Sequence, residues 1–321
     1  MSPSAPAPPV DFAFALDVDG VLFRGGASNP IPGSPEVLAA LQHHRIPHVL
    51  ITNGTGILEA EKAREIQDMV RSYVADEAHT EAASPAAAAY TLPEDAVVIA
   101  STPMRSLVTH HGWAKKRVLA VAWTSEFALR SARAYGFENV VTVDEYLAKH
   151  PVLVAGNFVD APVHTEPGHW DDVEPIEGVL LFHLTLGAFR ESLATLFQLA
   201  VGRKLETIQF GKPFPEMYAY TERALALQFY RSTHGTDPAD IQQDLPLPGT
   251  IYAVGDNPLS DIKGANGRGA PWTSVLVRTG NFNTDAPNDP DNPAAMVCDD
   301  LLQAFRQIAA AHGLPLGEDL C

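Results

Sequence analysis

The chain has 321 residues, of which 46% are hydrophobic and 19% are charged, which predicts one large folded domain or two smaller ones with a substantial core. Its 22 basic and 39 acidic side chains give a formal net charge of -17, which argues against nucleic acid and anionic membranes as partners because it repels polyanions. The two cysteines, Cys298 and Cys321, are too few for a disulfide framework and lack the spacing of a zinc site.

The start of the chain, MSPSAPAPPV, is rich in Pro, Ala and Ser, which predicts a disordered tail over residues 1–10. It has no apolar run typical of a secretory signal, and the absence of basic residues before Arg24 argues against a mitochondrial transit peptide. The most apolar long run, 178–202, is interrupted by charged and polar side chains, so we expect no membrane span. We therefore expect an intracellular protein, in the cytoplasm rather than in mitochondria.

Short apolar runs alternate along the chain with longer segments of helical periodicity, which predicts an α/β fold with a parallel sheet. The predicted strands are 12–16, 48–51, 96–100, 117–123, 151–156, 205–210, 250–254 and 274–277. The predicted helices are 34–44, 58–73, 125–135, 186–201, 215–229 and 299–311. Residues 76–95 are typical of a linker, and the strand–helix–strand pattern that follows them predicts an inserted second domain.

Polar side chains stand at the carboxyl ends of four predicted strands. These side chains are Asp17, Thr52, Lys212 and Asp256. The carboxyl ends of parallel strands share one edge of a sheet, and ligands bind in the crevice at that edge. We therefore expect the four side chains to converge on one site.

The carboxylates of this set point to a divalent cation. Asp17 and Asp19 are two residues apart, and Gly20 eases the turn that would bring both into one site. Adding Asp256 concentrates negative charge, which is costly unless a hard cation lies among the oxygens. Mg²⁺ suits such a set because it takes one or two carboxylates, keeps waters and completes its shell with phosphate oxygens. An EF-hand calcium loop is excluded, since its glycine belongs at the sixth position and Gly20 is fourth.

The same residues are suited to phosphoryl chemistry. A lysine and a threonine hydroxyl can hold phosphoryl oxygens beside the cation. An aspartate can attack phosphorus to give an aspartyl-phosphate. A second carboxyl group nearby can protonate the leaving alkoxide and then deprotonate the hydrolytic water.

Four motifs resemble, in the same order, those of the haloacid dehalogenase (HAD) superfamily: LDVDGVL, LITNG, FGKPFPEMY and VGDNPLSDIKGANGRG. From about Phe12 to about Phe305 the chain is also similar to the cat-eye-syndrome critical-region hydrolases, or HAD-like hydrolase domain-containing protein 5. The resemblance implies a Rossmann-like parallel sheet in a discontinuous core, at 11–80 and 203–315. It also implies an inserted α/β cap of class II, type IIA at 81–202.

The resemblance implies catalytic roles for three of the motif residues. Asp17 would be the nucleophile and a magnesium ligand. Asp19 would be the general acid and base, with its backbone carbonyl oxygen on the metal. Lys212 would stabilise negative charge on the phosphoryl group.

The other motif residues receive binding and supporting roles from the same resemblance. Thr52 and Asn53 would orient the phosphoryl group. Asp256 would be the third protein ligand of the magnesium ion. Asp261 would support the metal shell or Lys212.

The cap is shorter in this chain than in those hydrolases, because His183 is followed almost at once by Gly187. A cap excludes water and selects the substrate, so two functions stay open. One is a Mg²⁺-dependent phosphatase acting on a small phosphorylated metabolite through an aspartyl-phosphate. The other is a non-catalytic protein of the same fold that binds a phosphorylated ligand or a protein partner. Besides these two, a different chemistry of the same superfamily stays open, such as phosphoryl transfer or dehalogenation. Dehalogenation is disfavoured because it does not need the magnesium cluster. A homodimer also stays open.

Overall fold

The chain divides into two compact units. The computed structural model describes residues 10–54, 56–75, 89–149, 174–182, 187–238, 244–283 and 285–316. The first unit comprises residues 1–100 and 209–321, and the second comprises residues 101–208. The first unit is thus discontinuous in sequence, with the second inserted between its two parts.

A six-stranded parallel sheet forms the centre of the first unit. Its strands are β1 (Phe12–Leu16), β2 (His48–Thr52), β3 (Val97–Ile99), β7 (Thr250–Gly255), β8 (Trp272–Val277) and β9 (Met296–Cys298). They lie in the order β3-β2-β1-β7-β8-β9, and every neighbouring pair is parallel. This is the Rossmann order, in which the direction of strand addition reverses between β1 and β7 and opens a crevice at their carboxyl ends.

Helices cover both faces of this sheet. They are α1 (Ser34–His43), α2 (Glu59–Ala75), α7 (Pro215–His234), α8 (Lys263–Arg268) and α9 (Leu301–Ala311). A π-helical turn, Pro258–Ile262, precedes α8. The predicted α/β fold with a Rossmann-like parallel sheet is confirmed.

The burial of β1 explains why its sequence is apolar at every position. Side chains alternate between the two faces of a strand, so Phe12, Phe14 and Leu16 join one core cluster with residues of α1, α2 and α9. Ala13 and Ala15 join the opposite cluster with residues of α7 and α8. A strand buried on both faces is held firmly, which fixes the position of the residue that follows it.

The second unit contains a smaller parallel sheet in the order β5-β4-β6. Its strands are β4 (Val118–Val121), β5 (Val140–Thr142) and β6 (Gly178–Leu181). Its helices are α3 (Arg105–Thr109), α4 (Ser125–Ala134), α5 (Val143–Lys149) and α6 (Gly187–Val201). In the described part of the chain, no helix combines the length with the apolar character that a bilayer crossing requires.

The strands of the structure differ from the predicted strands at two places. The strand predicted at 205–210 is wrong: residues 204–210 have no regular secondary structure, and Ile208 is 54% exposed rather than packed on a sheet. Conversely, β6 was not predicted, because a short apolar run does not by itself distinguish a strand from a buried helix. The strand predicted at 151–156 lies outside the described residues, as do most of the predicted linker and tail.

The first unit continues beyond the predicted end of the first core segment at residue 80. β3 lies inside the range 81–202 predicted for the inserted cap, yet it pairs with β2 in the six-stranded sheet. This pairing carries the first unit to Ala100. The linker composition of 76–95 therefore precedes a strand of the first sheet rather than the second unit.

Glu222 of α7 connects three elements of the first unit. Its carboxylate accepts hydrogen bonds from Arg268 Nε (2.7 Å) and Nη2 (2.6 Å) in α8 and from Trp272 Nε1 (2.8 Å) in β8. Burial by itself would raise the pKa of Glu222, but the hydrogen bonds from Arg268 and Trp272 outweigh it and lower the pKa. The folded state therefore favours the ionised Glu222 carboxylate. The contact contributes stability at pH values above the pKa of Glu222 in the unfolded chain, and this contribution is lost as the pH falls through the lower pKa of Glu222 in the folded protein.

We predict that Glu222→Gln lowers the free energy of unfolding by about 1–2 kcal/mol at neutral pH, the range for a partly exposed charged hydrogen bond. The deficit relative to wild type should shrink as the pH falls through the lowered carboxyl pKa, since the wild-type charge is then lost too. Urea denaturation over a pH series measures this. Glu216→Gln, an exposed position of the same helix, is the matched control, and a deficit in Glu222→Gln that is independent of pH would contradict the prediction.

Candidate active site

Asp17 is placed by the strand that precedes it. It follows β1 directly, and its backbone N–H donates to Val254 O at 2.9 Å, which continues the pairing with β7. The side chain is buried, and its Oδ1 accepts a hydrogen bond from the Val18 N–H at 2.7 Å. The carboxylate therefore lies at the switch point of the sheet.

Lys212 is buried between two carboxylates. Its Nζ lies 2.6 Å from Asp17 Oδ1 and 2.7 Å from Asp261 Oδ1, and it donates to Ile51 O at 3.0 Å. Burial alone would lower the pKa of Lys212, but the two carboxylates reverse this effect and raise it. The ammonium group is therefore charged and joins the ends of β1 and β2 to the π-helical turn.

Asn53 holds the backbone of Lys212. Its Oδ1 accepts from the Lys212 N–H at 2.7 Å, and its Nδ2 donates to Lys212 O at 2.8 Å. Gly211 allows this approach: its φ is +92°, and a Cβ there would lie 2.8 Å from Asn53 Oδ1. The prediction that Asn53 orients a phosphoryl group stays a prediction, but its side chain has a structural partner that the sequence did not indicate.

Thr52 and Asp19 face the same turn. Thr52 is the last residue of β2, and its Oγ1 accepts from the Gly54 N–H at 2.8 Å. A Cβ placed on Gly54 would lie 3.0 Å from Thr52 Oγ1 and 3.8 Å from Asp19 Oδ2. The Thr52 hydroxyl and the Asp19 carboxylate thus both border Gly54.

The pKa of Asp19 is raised. Partial desolvation is the main cause, and the carboxylates of Glu65 and Asp256 act in the same direction, whereas Lys62 and Lys212 oppose it. A carboxyl group whose pKa moves towards neutrality is better suited to giving and taking protons.

Asp256 follows β7 and is 1% exposed. A Cβ on Gly20, whose φ is +89°, would lie 2.5 Å from Asp256 Oδ2, so the turn after β1 reaches this carboxylate only because residue 20 is glycine. Asp256 Oδ1 is buried and has no hydrogen-bond partner among the described residues. A buried carboxylate oxygen without a partner is costly unless a ligand or cation completes its contacts.

Three buried carboxylates meet at this point. Asp17, Asp256 and Asp261 each offer an oxygen, and these atoms lie within 4.8 Å of one another. Burial and the charges of Asp261 and Asp256 raise the pKa of Asp17, and Lys212 only partly opposes them. Lys212 contacts only two of these carboxylates, and the excess negative charge of the cluster favours a divalent cation.

Most of the predicted site residues come together, although one does so for a different reason. Lys212 was expected at the end of a strand over 205–210, and no such strand forms. The side chain of Asn53 positions Lys212 instead. Asp261, expected as a supporting residue, contacts Lys212 directly and is also one of the three clustered carboxylates.

Two family models match the chain. The model described as haloacid dehalogenase-like hydrolase matches residues 14–138, and the model described as HAD-hydrolase-like matches residues 209–304. Together they cover well over half of the chain, and they include all four motifs. The narrower similarity to the cat-eye-syndrome critical-region hydrolases is not confirmed and stays a prediction.

Two curated yeast proteins are similar to the chain. A cardiolipin synthase (CMP-forming) / mitochondrial hydrolase fusion protein of Schizosaccharomyces pombe is 26% identical, over 96% of this chain and 55% of that protein, so this chain spans little more than half of it. A mitochondrial hydrolase of Saccharomyces cerevisiae is 28% identical, over 84% of this chain and 88% of that protein. Because both are named as mitochondrial, they contradict the expected cytoplasmic location. That expectation rested on the absence of basic residues before Arg24.

A solved structure shares the fold. The p-nitrophenyl phosphatase from Archaeoglobus fulgidus superposes with a TM-score of 0.54 at 15% identity, over 94% of this chain and 100% of that chain. At this level of identity the likeness concerns the fold. With the two model matches and the ordered motifs at one sheet edge, it follows that the chain belongs to the haloacid dehalogenase-like hydrolases.

Proposed function

We propose that this hydrolase is a Mg²⁺-dependent phosphatase of a small phosphorylated metabolite. The observation that carries the proposal is the cluster of Asp17, Asp256 and Asp261, whose carboxylate oxygens lie within 4.8 Å of one another. Lys212 contacts two of these carboxylates, those of Asp17 and Asp261. Carboxylates and a cation at the carboxyl edge of a parallel sheet can bind a phosphate dianion and supply a nucleophile to it.

The donor set fits magnesium. Hard oxygen ligands suit Mg²⁺, which binds through one or two carboxylates together with waters and substrate phosphate. Asp17 and Asp256 would hold the ion, with the backbone carbonyl oxygen of Asp19 as the third protein ligand. Asp256 Oδ1, which has no hydrogen-bond partner in the part of the chain that the structure describes, supports this assignment. When bound, the ion would screen the repulsion between the Asp17 carboxylate and a phosphate dianion.

The proposed reaction proceeds in two displacements. In the first, a carboxylate oxygen of Asp17 bonds to phosphorus, the ester P–O bond breaks, and Asp19 gives its proton to the leaving alkoxide. In the second, water attacks phosphorus while Asp19 takes a proton from it. The bond between Asp17 and phosphorus then breaks, which releases inorganic phosphate and restores the carboxylate.

Lys212, Thr52 and Asn53 would hold the phosphoryl group in place. The Lys212 ammonium lies 2.6 Å from the proposed nucleophile, so it can also reach an oxygen of a phosphoryl group bonded there. Thr52 Oγ1 accepts from Gly54 N–H and keeps its own proton for donation.

We also propose that the second unit selects the substrate as a cap. We further propose that the protein acts in mitochondria, as the names of its two yeast relatives suggest.

We predict that the purified chain hydrolyses p-nitrophenyl phosphate in Mg²⁺ and loses this activity in EDTA. Asp17→Asn should lower kcat by about a thousandfold or more, because the amide cannot form the covalent intermediate. Release of p-nitrophenolate measures both effects. Asp68→Asn, at an exposed position of α2, is the matched control and should keep full activity.

The same preparation distinguishes the alternative function. If folded wild-type protein hydrolyses none of a broad panel of phosphate monoesters, the phosphatase proposal fails. Calorimetric binding of Mg²⁺ or inorganic phosphate without turnover would then favour a non-catalytic protein that binds a phosphorylated ligand.

We predict that Asp19→Asn affects substrates unequally. An alkyl phosphate should lose about 10²–10⁴-fold in kcat/KM, the usual contribution of a general acid. p-Nitrophenyl phosphate should lose less, because p-nitrophenolate departs with little need of a proton. Comparing the two substrates in wild type and variant measures this, and equal losses would exclude Asp19 as the acid for the leaving group.

A further inference from the structure

The loop that follows β8, residues 278–282, packs directly against Asp256. Asn281 donates to Asp256 Oδ2 twice, from its backbone N at 2.5 Å and from Nδ2 at 2.7 Å. The Phe282 N–H donates to the backbone carbonyl oxygen of Asp256 at 2.9 Å. This segment belongs to none of the four sequence motifs, yet it contacts both the side chain and the backbone of the proposed metal ligand.

The same loop is fixed to the turn after β1. Thr279 Oγ1 donates to Gly20 O at 2.5 Å, and Arg24 Nε donates to Thr279 O at 2.7 Å. At Gly280 a Cβ would lie 2.0 Å from Asp256 Oδ2 and 2.9 Å from Gly20 Cα. Residue 280 must therefore be glycine for the loop to come this close, and the loop is anchored on both sides of the carboxylate.

The two oxygens of Asp256 consequently have different surroundings. Oδ2 receives both hydrogen bonds from Asn281, whereas Oδ1 is buried with no hydrogen-bond partner among the described residues. The terminal torsion of an aspartate is broad, so the plane of the carboxylate could otherwise rotate. Two donors on one oxygen restrict this rotation and fix the direction in which the other oxygen points.

We infer that Asn281 is a positioning residue that orients Asp256 so that Oδ1 is presented to the cation. This inference rests on the proposed function, because it takes Asp256 as a ligand of Mg²⁺. Residues that hydrogen-bond to a metal ligand commonly change metal affinity by about 10–100-fold when they are removed. Asn281 has the required chemistry, since an amide nitrogen donates to a carboxylate without adding charge to the cluster.

The test compares Asn281→Ala with Asn283→Ala in the full chain. Asn283 is exposed directly after this loop and provides the same change of side chain two residues away. Isothermal titration with Mg²⁺ should show affinity weakened by about 10–100-fold in Asn281→Ala, and affinity within about twofold of wild type in the control. Thermal unfolding in EDTA should leave the midpoint of Asn281→Ala close to that of wild type, because the backbone N–H of residue 281 still donates to the buried Asp256 Oδ2 in the variant.

Each of the following outcomes overturns the inference. Wild-type affinity in Asn281→Ala overturns the inference and leaves the proposed function standing. A lower midpoint in EDTA with unchanged Mg²⁺ affinity also overturns it, because the role would then be only structural. Wild-type protein that binds no Mg²⁺ overturns both proposals together. If Asn281→Ala does not fold, Asn281→Leu replaces it, because leucine is of similar size and has no side-chain donor, and unaltered affinity in that variant overturns the inference.

Discussion

The ammonium group of Lys212 is paired with two of the three carboxylates that are buried at one sheet edge. Removing charged groups from water costs several kcal/mol each unless they are paired and hydrogen-bonded. Lys212 pairs with Asp17 and Asp261 at 2.6 and 2.7 Å, while Asp256 relies on Asn281 and keeps one oxygen without a partner among the described residues. The compensation is thus incomplete, and the remaining negative charge would attract a cation.

The topology of the sheet brings these charges together with few residues. β1 and β7 are neighbours at the switch point, so Asp17 and Asp256 each follow a buried strand and their positions are set by backbone pairing. Close approach then depends on glycines at positions 20 and 280, where a Cβ would meet the Asp256 carboxylate. The sheet therefore fixes the positions of Asp17 and Asp256, and the loops contact the Asp256 carboxylate.

The sequence was sufficient to predict the parallel fold and the convergence of Asp17 and Asp256, because both follow apolar strands whose ends share an edge. It predicted Lys212 at the site for the wrong reason. Asn53, which holds Lys212, is 159 residues away in sequence, and Asn281 is 25 residues from the carboxylate that it contacts. Such contacts depend on loop geometry between distant segments, and neither residue type nor local spacing indicates them.

The negative charge of the carboxylate cluster is only partly balanced by Lys212, so Lys212 and a bound cation would have different roles. If the protein's own donors neutralised every carboxylate, the cluster would hold a cation weakly and Asp17 would be a poorer nucleophile. If Lys212 were absent, Asp17 and Asp261 would be buried without a positive partner, and the folded state would lose stability before any ligand bound. A single fixed ammonium keeps the site folded while it leaves an excess of negative charge. Asn281 satisfies one oxygen of Asp256 without changing that balance, because it donates two hydrogen bonds and carries no charge.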